Sequence, residues 1–136
     1  MKQLFIAFAL VLAIACSGLH AQSVILRANI PFDFWLDKTP MPAGSYQLRY
    51  SNGLLLVQES TDGKAAAMVL TLRDYRQEGP AKSVLLFNRY GSTYFLSRIS
   101  TPELQGGCHL MRSQQEKEFL AHNRIPERTS VVLGTQ

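Results

Sequence analysis

Apolar and polar residues alternate on either side of short turn sequences along most of the chain. The pattern is strongest where two runs rich in β-branched and aromatic residues flank Gly91-Ser92, a loop whose leading glycine suits a type II′ turn. The sequence therefore predicts a β-hairpin in which Phe87 faces Leu96 and Val84 faces Ile99. Because both faces of this hairpin carry large apolar side chains, we expect it to lie mid-sheet with another element covering each face.

Two further turn sequences, Asn52-Gly53 and Asp62-Gly63, predict a three-stranded meander. Pairing outward from both turns brings large apolar side chains together on one face. That predicted inner face comprises Tyr46, Leu48, Tyr50, Leu55, Val57, Ala66, Met68 and Leu70. The opposite face carries Leu54, Leu56 and Val69, so it either lies under the C-terminal segment or contacts a partner.

Residues 24–44 predict two strands and a loop. Residues 24–30 are typical of a strand, and a second strand follows directly after Pro31. In that second strand Phe32, Phe34 and Leu36 share one side, with Trp35 on the other. Residues 39–44, rich in proline and glycine, predict a loop.

The C-terminal part predicts a short strand around residues 108–111, a short helix and a last strand at residues 129–133. Ser113 followed by Glu116 forms a capping-box sequence, which predicts a helix that ends near His122. The resulting prediction is all-β, with about eight strands and one C-terminal helix. Consecutive hairpins favour a closed antiparallel meander barrel over a two-sheet sandwich.

The first residues predict export from the cytoplasm. Lys2 precedes an apolar run at residues 4–15, and Ala21 supplies a small residue for cleavage, which together are typical of a secretory signal peptide over residues 1–21. The run is shorter than the roughly 20 residues that a membrane-spanning helix needs. Alternatively, residues 12–16 form a degenerate lipobox in which Cys16 is lipidated and anchors the protein to a membrane. Otherwise residues 22–136 form a single periplasmic or extracellular domain.

Charge and cysteine content narrow the classes of function. The formal net charge is +4, and the basic residues are scattered rather than clustered, so we expect no binding to nucleic acid. Cleavage after Ala21 leaves Cys108 as the one cysteine of the mature chain, which excludes an internal disulfide. We expect the Cys108 thiol to be buried.

Several motifs, taken in order, resemble a group of small, uncharacterised exported β-rich proteins frequent in acidobacterial genomes. These motifs are Asn29-Ile-Pro-Phe-Asp-Phe34, Met41-Pro-Ala-Gly-Ser-Tyr46, Phe87-Asn-Arg-Tyr-Gly91 with Tyr94-Phe-Leu-Ser97, and Glu116-Lys-Glu118. The resemblance covers residues 29–128 and implies export and a β-rich fold, but no activity. The segment from Pro42 to Leu48 also looks like the start of a strand in prealbumin-like and carboxypeptidase-regulatory-like sandwiches.

The sequence favours a non-catalytic protein over an enzyme. Cys108 and His109 are adjacent and would point to opposite faces of a strand, so we expect no metal site and no cofactor. No Gly-x-Ser-x-Gly elbow and no phosphate-binding glycine loop occurs. The alternative is a small hydrolase-like enzyme that uses Cys108, or the acid pair Asp33 and Glu59.

Aromatic residues supply the candidates for ligand binding. Trp35 is one, because it lies opposite Phe32 and Phe34, and the tip of the central hairpin supplies others. The candidate ligand-binding residues are Trp35, Asn88, Arg89, Tyr90 and Tyr94. At the tip, the structural alternative is that Arg89 stacks on Tyr94 and Asn88 shapes the approach to the turn. The expected partner is a small ligand, a glycan or an envelope protein, and assembly into a cell-surface structure is a further alternative.

Overall fold

The computed structural model describes residues 23–63, 65–74, 82–104, 106–122 and 124–135. Within these ranges the chain forms ten strands, one α-helix and a single 3-10 turn at Pro102–Leu104. The strands are β1 (Val24–Ile30), β2 (Phe34–Leu36), β3 (Thr39–Met41), β4 (Gly44–Ser51), β5 (Leu54–Glu59), β6 (Ala66–Arg73), β7 (Val84–Tyr90), β8 (Thr93–Ser100), β9 (Cys108–Leu110) and β10 (Glu127–Thr135). The helix, α1, is Gln114–Ala121.

Eight of these strands close into an antiparallel barrel in the order β8-β7-β10-β1-β4-β5-β6-β9. The ring closes because β9 pairs with β6 on one side and with β8 on the other. The predicted all-β fold is therefore confirmed, as a barrel rather than a sandwich. The remaining strands, β2 and β3, form a hairpin that joins the edge of β8 where Trp35 lies opposite Phe95.

The position of the last strand determines where the helix lies. β10 pairs with both β7 and β1, whereas β9 lies on the far side of β8. The chain between β9 and β10 must therefore pass over β8 and β7. α1 occupies this connection and covers the outer face of the central hairpin, where Phe119 packs 5.4 Å from Tyr90 and 5.8 Å from Phe95, measured between ring centroids. The predicted cover on both faces of this hairpin is confirmed.

The barrel interior is filled by side chains. Tyr46, Leu55, Val57, Leu85 and Phe87 are all completely buried. An eight-stranded barrel is just wide enough for inward side chains to fill it. Ligand-sized space in the described chain is therefore on the outside of the barrel and at its ends.

The first tight turn has the predicted register and the second does not. Asn52 and Gly53 both have positive φ, at 50° and 81°, and Ser51 faces Leu54 as a two-residue loop requires. At the second turn, however, the Glu59 amide donates to the Ala65 carbonyl at 2.8 Å, so the loop is longer than Asp62-Gly63.

The longer loop shifts the pairing of β5 and β6 by one residue. Leu55 faces Val69 and Val57 faces Ala67, so the prediction that Ala66, Met68 and Leu70 point inward is wrong. Since side chains alternate along a strand, the shift moves every residue of β6 to the opposite face. Met68 and Leu70 are each 62 % exposed.

Two smaller predictions are also corrected. A bulge between Leu86 and Phe87 pairs Leu85, rather than Val84, with Ile99, because one extra residue of β8 is accommodated there. Residues 39–41, predicted as loop, form β3. Pro40 is compatible with this strand because β3 is an edge strand that pairs only with β2.

The predicted signal peptide, its cleavage site and Cys16 lie outside the described residues. So does most of the polar connection at residues 74–81. No helix within the described ranges is long and apolar enough to span a membrane.

Candidate ligand-binding groove

Trp35 lies on the outside of the molecule because of the alternation along β2. Its neighbours Phe34 and Leu36 are 2 % and 1 % exposed and contribute to the core. Trp35 therefore points the other way, as predicted, and is partly exposed. It faces Pro40 across the β2–β3 hairpin and Phe95 across the parallel pairing with β8.

A groove of about 440 Å³ lies between the β2–β3 hairpin and the tip of the β7–β8 hairpin. We call it the Trp35 groove. Its lining residues are Asp33, Phe34, Trp35, Pro40, Met41, Pro42, Ser92, Thr93 and Tyr94. Aromatic, proline and methionine side chains supply its apolar surface, and the lining residues include three with hydroxyl groups and one with a carboxylate.

The walls of the groove are held by contacts that do not depend on a ligand. Tyr94 stacks on Phe32 with ring centroids 3.8 Å apart and an interplanar angle of 13°. The Arg89 guanidinium lies 5.6 Å from the centre of the Tyr94 ring, and its Nε donates to the Gly91 carbonyl at 2.7 Å. The predicted stacking of Arg89 on Tyr94 is therefore confirmed.

The wall of the groove at Pro42 is held by side-chain hydrogen bonds to the backbone of residues 42 and 43. The Asp33 carboxylate accepts a hydrogen bond from the Ala43 amide at 2.8 Å, and the Tyr46 hydroxyl donates to the Pro42 carbonyl. Burial, with smaller contributions from Glu59 and Asp33, raises the pKa of Tyr46 to about 12. Tyr46 therefore remains a protonated donor at neutral pH, and the Pro42 wall stays in place.

Asn88 and Tyr90 do not share this groove. They lie on the outer face of β7, under α1, where both donate to the same oxygen of Glu116. Asn88 Nδ2 is 2.8 Å and the Tyr90 hydroxyl 3.0 Å from Glu116 Oε1. Burial, then the Glu116 charge and hydrogen bond, raises the pKa of Tyr90 to about 12. These side chains attach the helix to the barrel.

The same glutamate belongs to the predicted capping box. Ser113 caps α1, and its hydroxyl accepts from the Glu116 amide at 3.2 Å. The Glu116 side chain, however, points to the sheet and is 4 % exposed. Its contacts with Asn88 and Tyr90 were not predicted, because the capping sequence fixes the position of the backbone but not what the helix packs against.

The five candidate ligand-binding residues thus separate into two groups. Trp35 and Tyr94 line the Trp35 groove, and Arg89 supports its Tyr94 wall. Asn88 and Tyr90 instead donate their side-chain hydrogen bonds to Glu116. A second cleft, of about 520 Å³, runs past Asn88 and Glu116 beside β9, but the side chains of both residues are already hydrogen-bonded there.

Of the residues proposed for catalysis, Asp33 and Glu59 both lie near Tyr46, whose pKa each of them raises, whereas Cys108 lies elsewhere, on β9. Cys108 is completely buried, as expected, and burial raises the pKa of its thiol despite a hydrogen bond with Thr71 and nearby arginines, so the nucleophilic thiolate is disfavoured. Asp33 is exposed at the groove, and Glu59 ends β5. No three metal-ligating side chains cluster anywhere in the part of the chain that is described.

Comparison with protein families, curated proteins and solved structures finds no match to this chain. The resemblance to exported acidobacterial proteins therefore stays a prediction.

Proposed function

We propose that the protein is an exported, non-catalytic β-barrel that binds a neutral glycan in the Trp35 groove. The observation that carries this proposal is the partly exposed Trp35 ring, set in a groove of about 440 Å³ with hydroxyl and carboxylate groups around it. Clefts that hold small ligands have volumes of about 300–1,000 Å³ and combine apolar walls with a few polar groups.

A sugar ring matches the chemistry of this groove. Its C–H face is apolar and packs on an indole ring, while hydroxyl groups around its edge need donors and acceptors. Trp35 and Tyr94 supply aromatic surface, and Ser92 and Thr93 supply hydroxyls that both donate and accept. Asp33 adds an acceptor. Since the lining contains no cationic side chain, a neutral ligand is favoured over an anionic one.

Two further parts of the proposal, export and a non-catalytic role, have their own support. The basic, apolar and small-residue pattern of residues 1–21 supports secretion. The packed barrel interior and the buried Cys108 thiol support a binding role rather than nucleophilic catalysis. The groove is held by preformed contacts, which reduces the ordering cost of binding.

Fluorescence titration tests the proposal directly, because Trp35 is the single tryptophan of the chain. We expect β-1,4-linked trisaccharides of glucose or N-acetylglucosamine to change the emission of Trp35 in a saturable way. Binding should be insensitive to salt, because no ion pair forms. Calorimetry should then show at least an approximately tenfold weaker affinity for Trp35→Ala, since burying an aromatic ring is worth about 1.5 kcal/mol or more.

Ile125→Ala serves as the matched control, because Ile125 is 89 % exposed and does not line the groove. Its affinity should equal that of the wild type, and far-UV circular dichroism should show that both variants are folded. A lack of saturable change with either trisaccharide, or a folded Trp35→Ala variant with undiminished affinity, would contradict the proposal.

A further inference from the structure

Five exposed apolar side chains lie on the outer surface formed by β5, β6 and the residue that follows β9. Leu54 is 40 % exposed, Leu72 is 50 % exposed, and Met68, Leu70 and Met111 are each 62 % exposed. We call these residues the leucine–methionine patch. It is separate from the Trp35 groove, and its interpretation does not depend on the proposed function.

The strand register makes the patch continuous. Leu54 faces Leu70, and the half-buried Leu56 faces Met68. On the next strand His109 faces Leu72, which places Met111, two residues further, on the same outward side. Neighbouring strands are about 4.8 Å apart, so these side chains are neighbours on one face of the sheet.

Neither C-terminal element covers this patch. α1 packs on β7 and β8 through Phe119, and β10 is part of the barrel wall between β7 and β1. The sequence left two interpretations for the face that carries Leu54 and Leu56. The first, that the C-terminal segment covers it, is wrong for the described residues. Contact with a partner remains.

The size of the patch matches one side of a homodimer. Its exposed fractions correspond to roughly 500 Å² of apolar surface, at the upper end for the largest patch of a monomer. A standard interface buries about 800 Å² per partner, and homodimer interfaces are about 65 % apolar, which also requires roughly 500 Å². None of the five side chains is charged, so the patch itself brings no like charges together.

We infer that a second copy of this chain packs on the leucine–methionine patch, giving a two-fold symmetric dimer with β5 and β6 of each protomer face to face. In such a dimer the same patch supplies both sides of the contact, and two-fold dimers are the commonest assemblies. Stacked sheets pack about 10 Å apart through their side chains. The methionine side chains adapt to the opposing surface.

Sedimentation velocity of the exported protein, from low to high micromolar concentration, tests this inference. We expect a concentration-dependent shift from monomer to dimer. Leu70→Glu should remain monomeric throughout, because it places a charge at the centre of the contact; Met68→Lys should do the same and provides a second variant if the first fails to fold. Peroxide oxidation of Met68 and Met111 should slow in the wild-type dimer.

Val132→Glu is the matched control. Val132 is 64 % exposed but belongs to the outer face of β10, so this variant should dimerise like the wild type. A wild-type protein that stays monomeric at every concentration would overturn the inference, as would dimers that persist in folded Leu70→Glu or Met68→Lys. Protection of Met68 in a monomer that retains residues 1–21 would show instead that this segment covers the patch.

Discussion

Glu116 is the residue on which the attachment of the helix depends most. The residue is 4 % exposed, and its carboxylate accepts hydrogen bonds from both Asn88 and Tyr90. Hydrogen bonds to an ionised acceptor contribute more than neutral ones, and a buried donor without a partner costs about 1–3 kcal/mol. The free energy of this contact therefore depends on both donors being satisfied.

Replacing Glu116 tests this arrangement. We expect Glu116→Ala to lower the free energy of unfolding by about 2–3 kcal/mol, because two buried donors lose their acceptor. Glu116→Gln keeps a carbonyl oxygen and should cost less. Urea denaturation followed by far-UV circular dichroism measures both.

Glu118 provides the control on the same helix. Its side chain is exposed, so Glu118→Ala should change the stability by no more than about 0.5 kcal/mol. Equal losses for Glu116→Ala and Glu118→Ala would show that helix propensity, and not the buried contact, determines the effect.

At the scale of residues, the sequence predicted the face of a strand on which a side chain lies. It did not predict as well which other side chains that side chain contacts. The alternation of Phe34, Trp35 and Leu36 was enough to place Trp35 outside the core. The clustering of Asn88 and Tyr90 with Glu116 could not be predicted, because residues 88 and 116 are brought together only by the path of α1 across the barrel.

At the scale of elements, the two turn sequences determined which strand registers were predicted correctly. Asn52-Gly53 gave the correct register because both residues adopt the positive φ that a two-residue turn requires. Asp62-Gly63 failed because the hydrogen bond from Glu59 to Ala65 closes a longer loop. A dipeptide identifies a turn, whereas the length of its loop depends on how the flanking strands pack.

Gly107 connects the 3-10 turn to β9 under a strict steric requirement. Its φ is +107°, and a Cβ there would lie 2.2 Å from the Ile99 carbonyl oxygen and 3.0 Å from Ser100 Cα. Both contacts are to backbone of β8, to which β9 pairs. Any side chain at residue 107 must therefore displace the strands that close the barrel.

We expect Gly107→Ala to lower the free energy of unfolding by at least about 3 kcal/mol, because the clash adds to the usual cost of a positive φ. Gly91→Ala is the control: its φ is +66°, but nothing lies within 4 Å of the added Cβ, so the loss should be about 1–2 kcal/mol. Urea denaturation compares the two variants. Similar losses would contradict the steric account.

At the scale of the whole molecule, the closure of the barrel follows from contacts that no local pattern contains. The all-β class and most of the strands could be predicted from turns and alternation. The insertion of β10 between β7 and β1, however, joins residues far apart in the chain. That insertion determines which hairpin α1 covers and leaves the outer face of β5 and β6 exposed.

The interior of the barrel is packed with side chains, so both proposed binding surfaces lie on its outside. The proposed glycan site is the Trp35 groove, and the proposed dimer contact is the leucine–methionine patch. These surfaces are built from different strands, so binding and dimerisation should be separable. Leu70→Glu should retain the glycan affinity of the wild type.

The most direct test of glycan binding in the Trp35 groove is a two-dimensional ¹H–¹⁵N NMR titration of the protein with the β-1,4-linked trisaccharides. The indole N–H of Trp35 gives a single, unambiguous signal because the chain has one tryptophan. We predict progressive shifts of this signal and of the Ser92 and Thr93 amides, with core amides such as Val57 unchanged. Shifts confined to the cleft beside Glu116, or no shift at the Trp35 indole, would contradict it.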